Sequence, residues 1–314
     1  VEKVESNGKV AYQVRLPYRI DEQTSFPNNR SIAVKRLESV YRQIHNDASA
    51  LKKYDETFKM QLEKGILEPV DENAPPDGPR VCYLPHQPVF TPKKTTDLRV
   101  VFDASVCYRN KMSLNDALHQ GPTLLPSLAG TLLRFRFQDI ALISDIEKAF
   151  LQVKLALQDR DACRVFWLKD ANKPPTRDNI MVLRFCSVLF GLICSPYLLA
   201  ATIRYHLDSY DMESKLKDEL LRNLYVDNAY VAASTTVEAV EKYEVLKRAF
   251  EEAGMNLREF LSNDKDTMSR IPEKDKCTDM SAKFMGIKWS ADKDVLTVPS
   301  IEMPTEDKNL SKRK

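Results

Sequence analysis

The sequence predicts an α+β chain in which an antiparallel sheet is flanked by helices. Three observations carry that expectation. Short apolar runs of strand length recur along the chain, and several end at turn residues. Between them lie stretches whose apolar residues fall three or four apart, the spacing of a helix with one buried face. Finally, Leu224-Tyr225-Val226 and Tyr230-Val231-Ala232 flank Asp227-Asn228 and read as a β-hairpin, because Asp and Asn tolerate the positive φ of a tight turn.

The totals narrow the classes. A chain of 314 residues exceeds one compact core and suggests two or three subdomains. Apolar content of 43% and charged content of 29% are ordinary for a soluble globular protein. A net charge of +2 excludes a uniformly basic nucleic-acid coat, so attraction to phosphates must be local, as at Lys93-Lys94 or Lys312-Arg313-Lys314. The 8 glycines form no phosphate-binding loop. Six cysteines without paired spacing, mostly in apolar runs, suit reduced buried thiols, and with four scattered histidines no zinc site is expected. No run of about 18 apolar residues occurs, so no membrane span is expected. The chain lacks an initiator Met and a signal-peptide pattern, as a piece cut from a longer product would.

Residues 1–30 are expected to be extended, with Tyr12, Val14 and Leu16 alternating. Leu37, Val40, Tyr41 and Ile44 mark a helix. Leu51, Tyr54, Phe58 and Leu62 mark a second, stopped at Gly65. The runs 82–90 and 99–102 form a hairpin with a polar, basic tip. Leu124, Leu125, Leu128, Leu132 and Leu133 mark a helix entered through Pro122 and Pro126, and a strand then leads to Asp145. The runs 163–168 and 180–185 read as a strand pair. A helix starts at Ser195-Pro196, with Ser as N-cap and Pro in the first turn. Val240, Tyr243, Leu246 and Phe250 define another helix, closed by Gly254. Residues 264–280 read as a loose charged connection, 283–289 as a half-buried strand, and the last dozen as a disordered tail.

Asp145 and Asp227 each stand where an apolar run ends. If the two runs are neighbours in one sheet, the carboxylates meet at one rim, where a hard divalent metal is held by one or two carboxylates plus substrate phosphates. On residue types alone, Asp145 equally caps a turn and Asp227-Asn228 is equally a plain turn. The neighbouring residues go further. Tyr225-Val226-Asp227-Asn228, Asp145 followed five residues later by Phe150, and Phe190-Gly191-Leu192 before Ser195-Pro196 together resemble the reverse transcriptase palm. The finer wording resembles the Bel/Pao group of LTR retrotransposons. It lies in Leu98-Arg99-Val100-Val101-Phe102-Asp103-Ala104-Ser105, Ser113-Leu114-Asn115-Asp116, Gly121-Pro122-Thr123-Leu124-Leu125-Pro126 and Asp145-Ile146-Glu147-Lys148-Ala149-Phe150-Leu151-Gln152-Val153. The resemblance runs from about Leu16 to about Val298.

The resemblance implies a right-hand polymerase of fingers and palm, with the thumb largely missing. It divides the chain into an N-terminal extension (1–32), fingers (33–122), palm (123–154), fingers (155–189), palm with primer grip (190–292) and a truncated tail (293–314). The implied activity is RNA-directed DNA polymerisation by a fragment of a retrotransposon polyprotein. Asp145, Asp227 and Asn228 stand at the catalytic positions. Asp145 and Asp227 would bind two Mg2+ ions, with Mn2+ as a substitute. Arg99, Lys148, Ala149, Phe150, Phe190 and Gly191 would meet the incoming dNTP, and Phe284, Met285 and Gly286 would form the primer grip. On residue type alone, Arg99 is a surface ion pair to Asp97 or Asp103, and Phe150 a core ring beside Leu151 and Val153. The implied partners are an RNA or DNA template with primer, dNTPs, and the ribonuclease H and integrase regions of the same polyprotein, without a membrane. The implied location is the cytoplasm, in a virus-like particle. Arg258 and Lys265 are the candidates for a general acid.

Asn228 departs from the family, which carries a second Asp there. A neutral amide binds magnesium more weakly and does not offset its charge. Two further readings stand beside the polymerase: a catalytically impaired, nucleic-acid-binding remnant of a mobile element, and an unrelated metal-dependent phosphotransferase with a similar carboxylate pair.

Overall fold

The computed structural model describes every residue except 7, 22–25, 91–97, 108–110, 280, 285 and 298–314. The chain opens with β1 (Glu2–Ser6) and β2 (Lys9–Val14), followed by α1 (Arg30–Ile44) and α2 (Ala48–Glu63). Ala33, Leu37, Val40 and Ile44 give α1 its single buried face. The Asp47 carboxylate caps α2 by accepting the Ser49 and Ala50 N–H groups. Next come β3 (Leu67–Pro69), β4 (His86–Phe90), β5 (Leu98–Phe102), α3 (Leu128–Phe135), β6 (Ile140–Ile146), α4 (Ala149–Gln152) and β7 (Val153–Leu155). Then follow α5 (Leu157–Arg160), β8 (Arg164–Leu168), β9 (Ile180–Phe185), α6 (Ser195–Ser209), α7 (Ser214–Asn223), β10 (Asn228–Ala233) and α8 (Thr236–Glu252). The described chain ends with β11 (Leu257–Ser262), α9 (Lys265–Arg270), β12 (Ser281–Phe284), β13 (Ile287–Ser290) and β14 (Val295–Thr297). No helix among the described residues is long and apolar enough to cross a membrane.

Two compact units result. The first comprises Val1–Leu125, Glu147–Met212 and Arg248–Asn256, the second Pro126–Ile146, Glu213–Lys247 and Leu257–Lys314.

The first unit contains the sheets β1-β2-β7 and β3-β9-β8 and the hairpin β4-β5. Its core is aromatic. Phe58 stacks on Trp167 at 4.7 Å, and Phe102 meets Phe185 edge to face at 4.8 Å. His86 is buried among these rings with both nitrogens bonded: Nδ1 accepts the Tyr54 hydroxyl at 2.6 Å and Nε2 donates to the Phe166 carbonyl at 2.8 Å. Burial pushes the His86 imidazole down to about 4. Asp161, fully buried, accepts from Arg164, from Arg184 at 2.9 Å and from the Asp77 N–H at 2.9 Å. A buried carboxylate needs this many donors, since an unpaired one costs several kcal/mol.

The second unit contains the antiparallel sheet β10-β6-β11 and the meander β12-β13-β14. Its core joins Ala141 and Ile143 of β6, Tyr230 and Ala232 of β10 and Leu261 of β11 to Phe135 and Trp289.

Three expectations are corrected. The helix α3 begins at Leu128, capped by the Ser127 hydroxyl, so Leu124 and Leu125 precede it. It buries Thr131 and Phe135, whose ring joins the core on the sheet, and leaves Leu128 and Leu133 exposed. Ser195 is not the cap of α6: Cys194 holds that position, and the Ser195 hydroxyl donates to the Leu189 carbonyl at 2.6 Å. Of the segment 264–280, the described residues 264–279 are no loose connection. Asp264 caps α9 through the Thr267 N–H, and buried Asp275 accepts Lys247 Nζ at 2.7 Å and the Tyr243 hydroxyl at 2.9 Å. One charge of this segment, Asp275, is therefore buried in a pair, while Lys265, Asp266, Arg270, Glu273 and Lys274 stay exposed.

Candidate active site

The strand β6 lies between two antiparallel partners, so its register decides what stands beside Asp145. Asn228 of β10 pairs with it on one side and Arg258 of β11 on the other. Residues paired across an antiparallel ladder share a face. The next row on that face is Tyr230, Ile143 and Leu261, inside the core. The polar row Asn228-Asp145-Arg258 is therefore the end of an apolar face, beyond its covering of Phe135 and Trp289.

Asp227 reaches the same rim through a two-residue turn. The Tyr225 N–H donates to the Asn228 carbonyl at 2.8 Å and the Asn228 N–H to the Tyr225 carbonyl at 3.0 Å. Val226 and Asp227 thus form the turn, and Asn228 already belongs to the ladder. This shifts the expected Asp227-Asn228 turn by one residue. Val226, with φ 57°, carries the positive φ, a strained choice for a β-branched residue. The Asp227 carbonyl accepts the Ile146 N–H at 2.8 Å, which fastens the turn one residue beyond Asp145.

Asp227 is half-buried. Desolvation raises its carboxyl above the usual range, and hydrogen bonds from its own backbone and from Asn228 Nδ2, 2.8 Å from Oδ1, pull the other way. A cation at the rim would relieve that desolvation. The donors offered are hard oxygens from two carboxylates, which fits magnesium completed by substrate phosphates and water. Among the described residues no group of three or more His, Cys, Asp or Glu could hold a metal ion. Arg258 Nη2 lies 3.6 Å from Glu259 Oε1.

The residues matched to a nucleotide site lie in the first unit. Lys148, in the left-handed region at φ 50°, leads into α4, where Ala149 and Phe150 are buried. The Phe150 ring meets Phe190 edge to face at 4.5 Å, and Phe190 is 56% exposed. Gly191 has φ 107°, and a Cβ there would stand 2.5 Å from the Phe102 carbonyl, so only glycine fits. Arg99 is exposed on β5 across from Val89. Among the described residues it makes no ion pair with Asp103, whose carboxylate accepts the Ser105 N–H at 2.9 Å. Lys93, Lys94 and Asp97 lie outside the described residues. In the second unit, β12 and β13 pair as a hairpin at the positions matched to the primer grip. Gly286 has φ 84° at its turn, and Met285 lies outside the described residues.

Sequence reasoning missed β11, and with it the neighbour of Asp145. The signal was present but irregular. Leu257, Phe260 and Leu261 are buried while Arg258 and Glu259 interrupt them, because a bulge with Glu259 at φ 53° breaks the alternation. It missed α7 as well, which buries Leu216 and Leu220.

Neither a family model nor a curated protein sequence matches the chain. Solved structures do. A prototype foamy virus protease-reverse transcriptase, the selenomethionine-labelled CSH mutant, matches at TM-score 0.51 and 16% identity, over 90% of this chain and 28% of that one. A foamy viral protease-reverse transcriptase in complex with an RNA/DNA hybrid matches at 0.52 and 16%, over 78% and 26%. The dRH form in complex with double-stranded DNA matches at 0.51 and 15%, over 90% and 38%. The chain thus spans between 26% and 38% of the length of these structures. At this identity the likeness concerns architecture, and it bears out the expected α+β class: the chain shares the fold of the part of these foamy virus structures that it matches.

Proposed function

We propose that the chain is the polymerase portion of a reverse transcriptase of the Bel/Pao kind, adding dNTPs to a primer on an RNA or DNA template. The observation that carries this reading is the register at the rim of β10-β6-β11: Asp145 is laddered to Asn228, and Asp227 is tied to Ile146. Asp145 and Asp227 would hold Mg2+, or Mn2+ in its place; the ions supply charge stabilisation to the attacking and leaving oxygens of an in-line phosphoryl transfer. Arg99 and the backbone at Lys148 and Ala149 meet the triphosphate, as a guanidinium and backbone N–H groups suit phosphate oxygens. Phe150, buttressed by Phe190 beside Gly191, faces the sugar and excludes a 2′-hydroxyl. Phe284, Met285 and Gly286 steady the primer end. Support for a duplex partner comes from the foamy virus structures that hold an RNA/DNA hybrid and double-stranded DNA. A duplex read through its backbone suits an enzyme that copies any sequence. Ribonuclease H and integrase regions of one polyprotein, and a cytoplasmic virus-like particle, complete the proposal.

Asn228 favours a second reading, a nucleic-acid-binding remnant with impaired catalysis. Primer extension with Mg2+ separates the two, comparing the parent with Asp145→Ala and Asn228→Asp. Extension by the parent that Asp145→Ala abolishes supports the polymerase. Extension by Asn228→Asp alone supports the remnant. Equal traces from the parent and Asp145→Ala end the enzyme reading.

A further inference from the structure

The motif Ser113-Leu114-Asn115-Asp116 takes no part in the chemistry above, yet its asparagine joins three segments of the first unit. Asn115 Nδ2 donates to the Gly191 carbonyl at 2.9 Å and to Ser105 Oγ at 2.9 Å, and Oδ1 accepts the Ile193 N–H at 2.9 Å. The motif is itself held in place. The Asp116 carboxylate accepts the Ser113 N–H at 3.0 Å and its hydroxyl at 2.7 Å, and the Asn115 N–H donates to the Ala104 carbonyl at 3.0 Å. The turn that Asn115 grips is bounded on one side by the Ser195 hydroxyl on the Leu189 carbonyl. On the other stands the Phe102 carbonyl, against which only a glycine fits at position 191. Between these anchors stands Phe190, exposed on one side and edge-on to Phe150 on the other.

We propose that Asn115 is a positioning residue for the nucleotide site. Its amide sets the Phe190-Gly191 turn against Phe150 and links that turn, through Ser105, to the end of the strand that bears Arg99. A short amide suits the task because it accepts and donates at once; aspartate keeps only the acceptor, and alanine neither. The kinetic consequence rests on the polymerase reading, whereas the positioning does not.

The test therefore has two readouts. In the first, 4-fluorophenylalanine at position 190 reports the turn by 19F resonance in the whole chain, without substrate. Asn115→Ala shifts and broadens that resonance, and Asn115→Asp shifts it less. An unmoved resonance in a folded Asn115→Ala protein overturns the proposal; if that variant does not fold, an unmoved resonance in Asn115→Asp does. In the second, Asn115→Ala raises the KM for a dNTP about tenfold while kcat changes less than about threefold, the effect of losing a few neutral hydrogen bonds. It also lowers the preference for deoxy- over ribonucleotides about tenfold. A fall in kcat with unchanged KM and unchanged sugar preference overturns the role. A parent without primer extension sinks the polymerase reading alone, since the 19F result still decides the positioning.

Discussion

The rim of β10-β6-β11 and the Phe150-Phe190 turn are held by different means. At the rim, position is set by backbone: the pair Asn228-Asp145, the bond from Ile146 to the Asp227 carbonyl, and the strained turn at Val226. At the turn, position is set by side chains and shape: an edge-to-face ring pair, the Asn115 amide and a glycine pressed on a carbonyl. A backbone ladder does not depend on which side chain it carries. The pairing of position 228 with Asp145 is therefore independent of the residue type at 228, while the Asn228 amide adds its own hydrogen bond to the Asp227 carboxylate. The turn has no such tolerance.

The comparison breaks most visibly at the rim. Asp145→Ala lowers primer extension on the order of a thousandfold, the scale of losing a charge-stabilising group, with the urea midpoint little changed. A large drop in that midpoint would show the side chain to be structural. Acid tests the aromatic core of the first unit. His86 resists protonation to about 4 when folded, while the unfolded chain takes a proton near 6.5. Stability is thus present above 6.5 and lost as pH falls from there to about 4, on the order of 3 kcal/mol. Denaturant midpoints across that range check it, and His86→Gln should flatten the slope. Gly191→Ala costs roughly 1–3 kcal/mol in the same measurement, since the new Cβ meets a carbonyl at a positive φ. A neutral result would mean the turn shifts freely.

The smallest effect sharpens the rim. The Asp227 carboxyl is raised by burial, so it favours folding while protonated and that contribution is lost as pH rises through its folded value. Asp227→Asn should then melt higher than the parent in metal-free buffer near neutral pH, with the gap closing in acid, while extension is lost. Added Mg2+ should raise the melting point of the parent and not of the variant. A parent that melts higher at neutral pH without metal contradicts this.

Much of the fold was legible because burial leaves a period in sequence. Leu37, Val40 and Ile44, or Tyr54 and Phe58, mark helix faces without knowledge of what covers them. The leucines of 124–133 misled because leucine forms helices on any face, and the covered residue was Phe135. Asp145 and Asp227 stood out as carboxylates ending apolar runs. Arg258 was singled out only as a candidate general acid, and its place beside Asp145 was not legible because a bulge hid its strand.

By itself the sequence determined the class of most elements, though not of β11, α7 or α9, together with the tight turn that carries Asp227 and the aromatic and glycine at 190 and 191. These depend on neighbours a few residues away. Only the tertiary structure decided that Val226 takes the strained turn position, that Arg258 lies beside Asp145, and that Asn115 grips Gly191. Those outcomes depend on ladder register and on hydrogen bonds between distant segments, which no local pattern of residue types encodes.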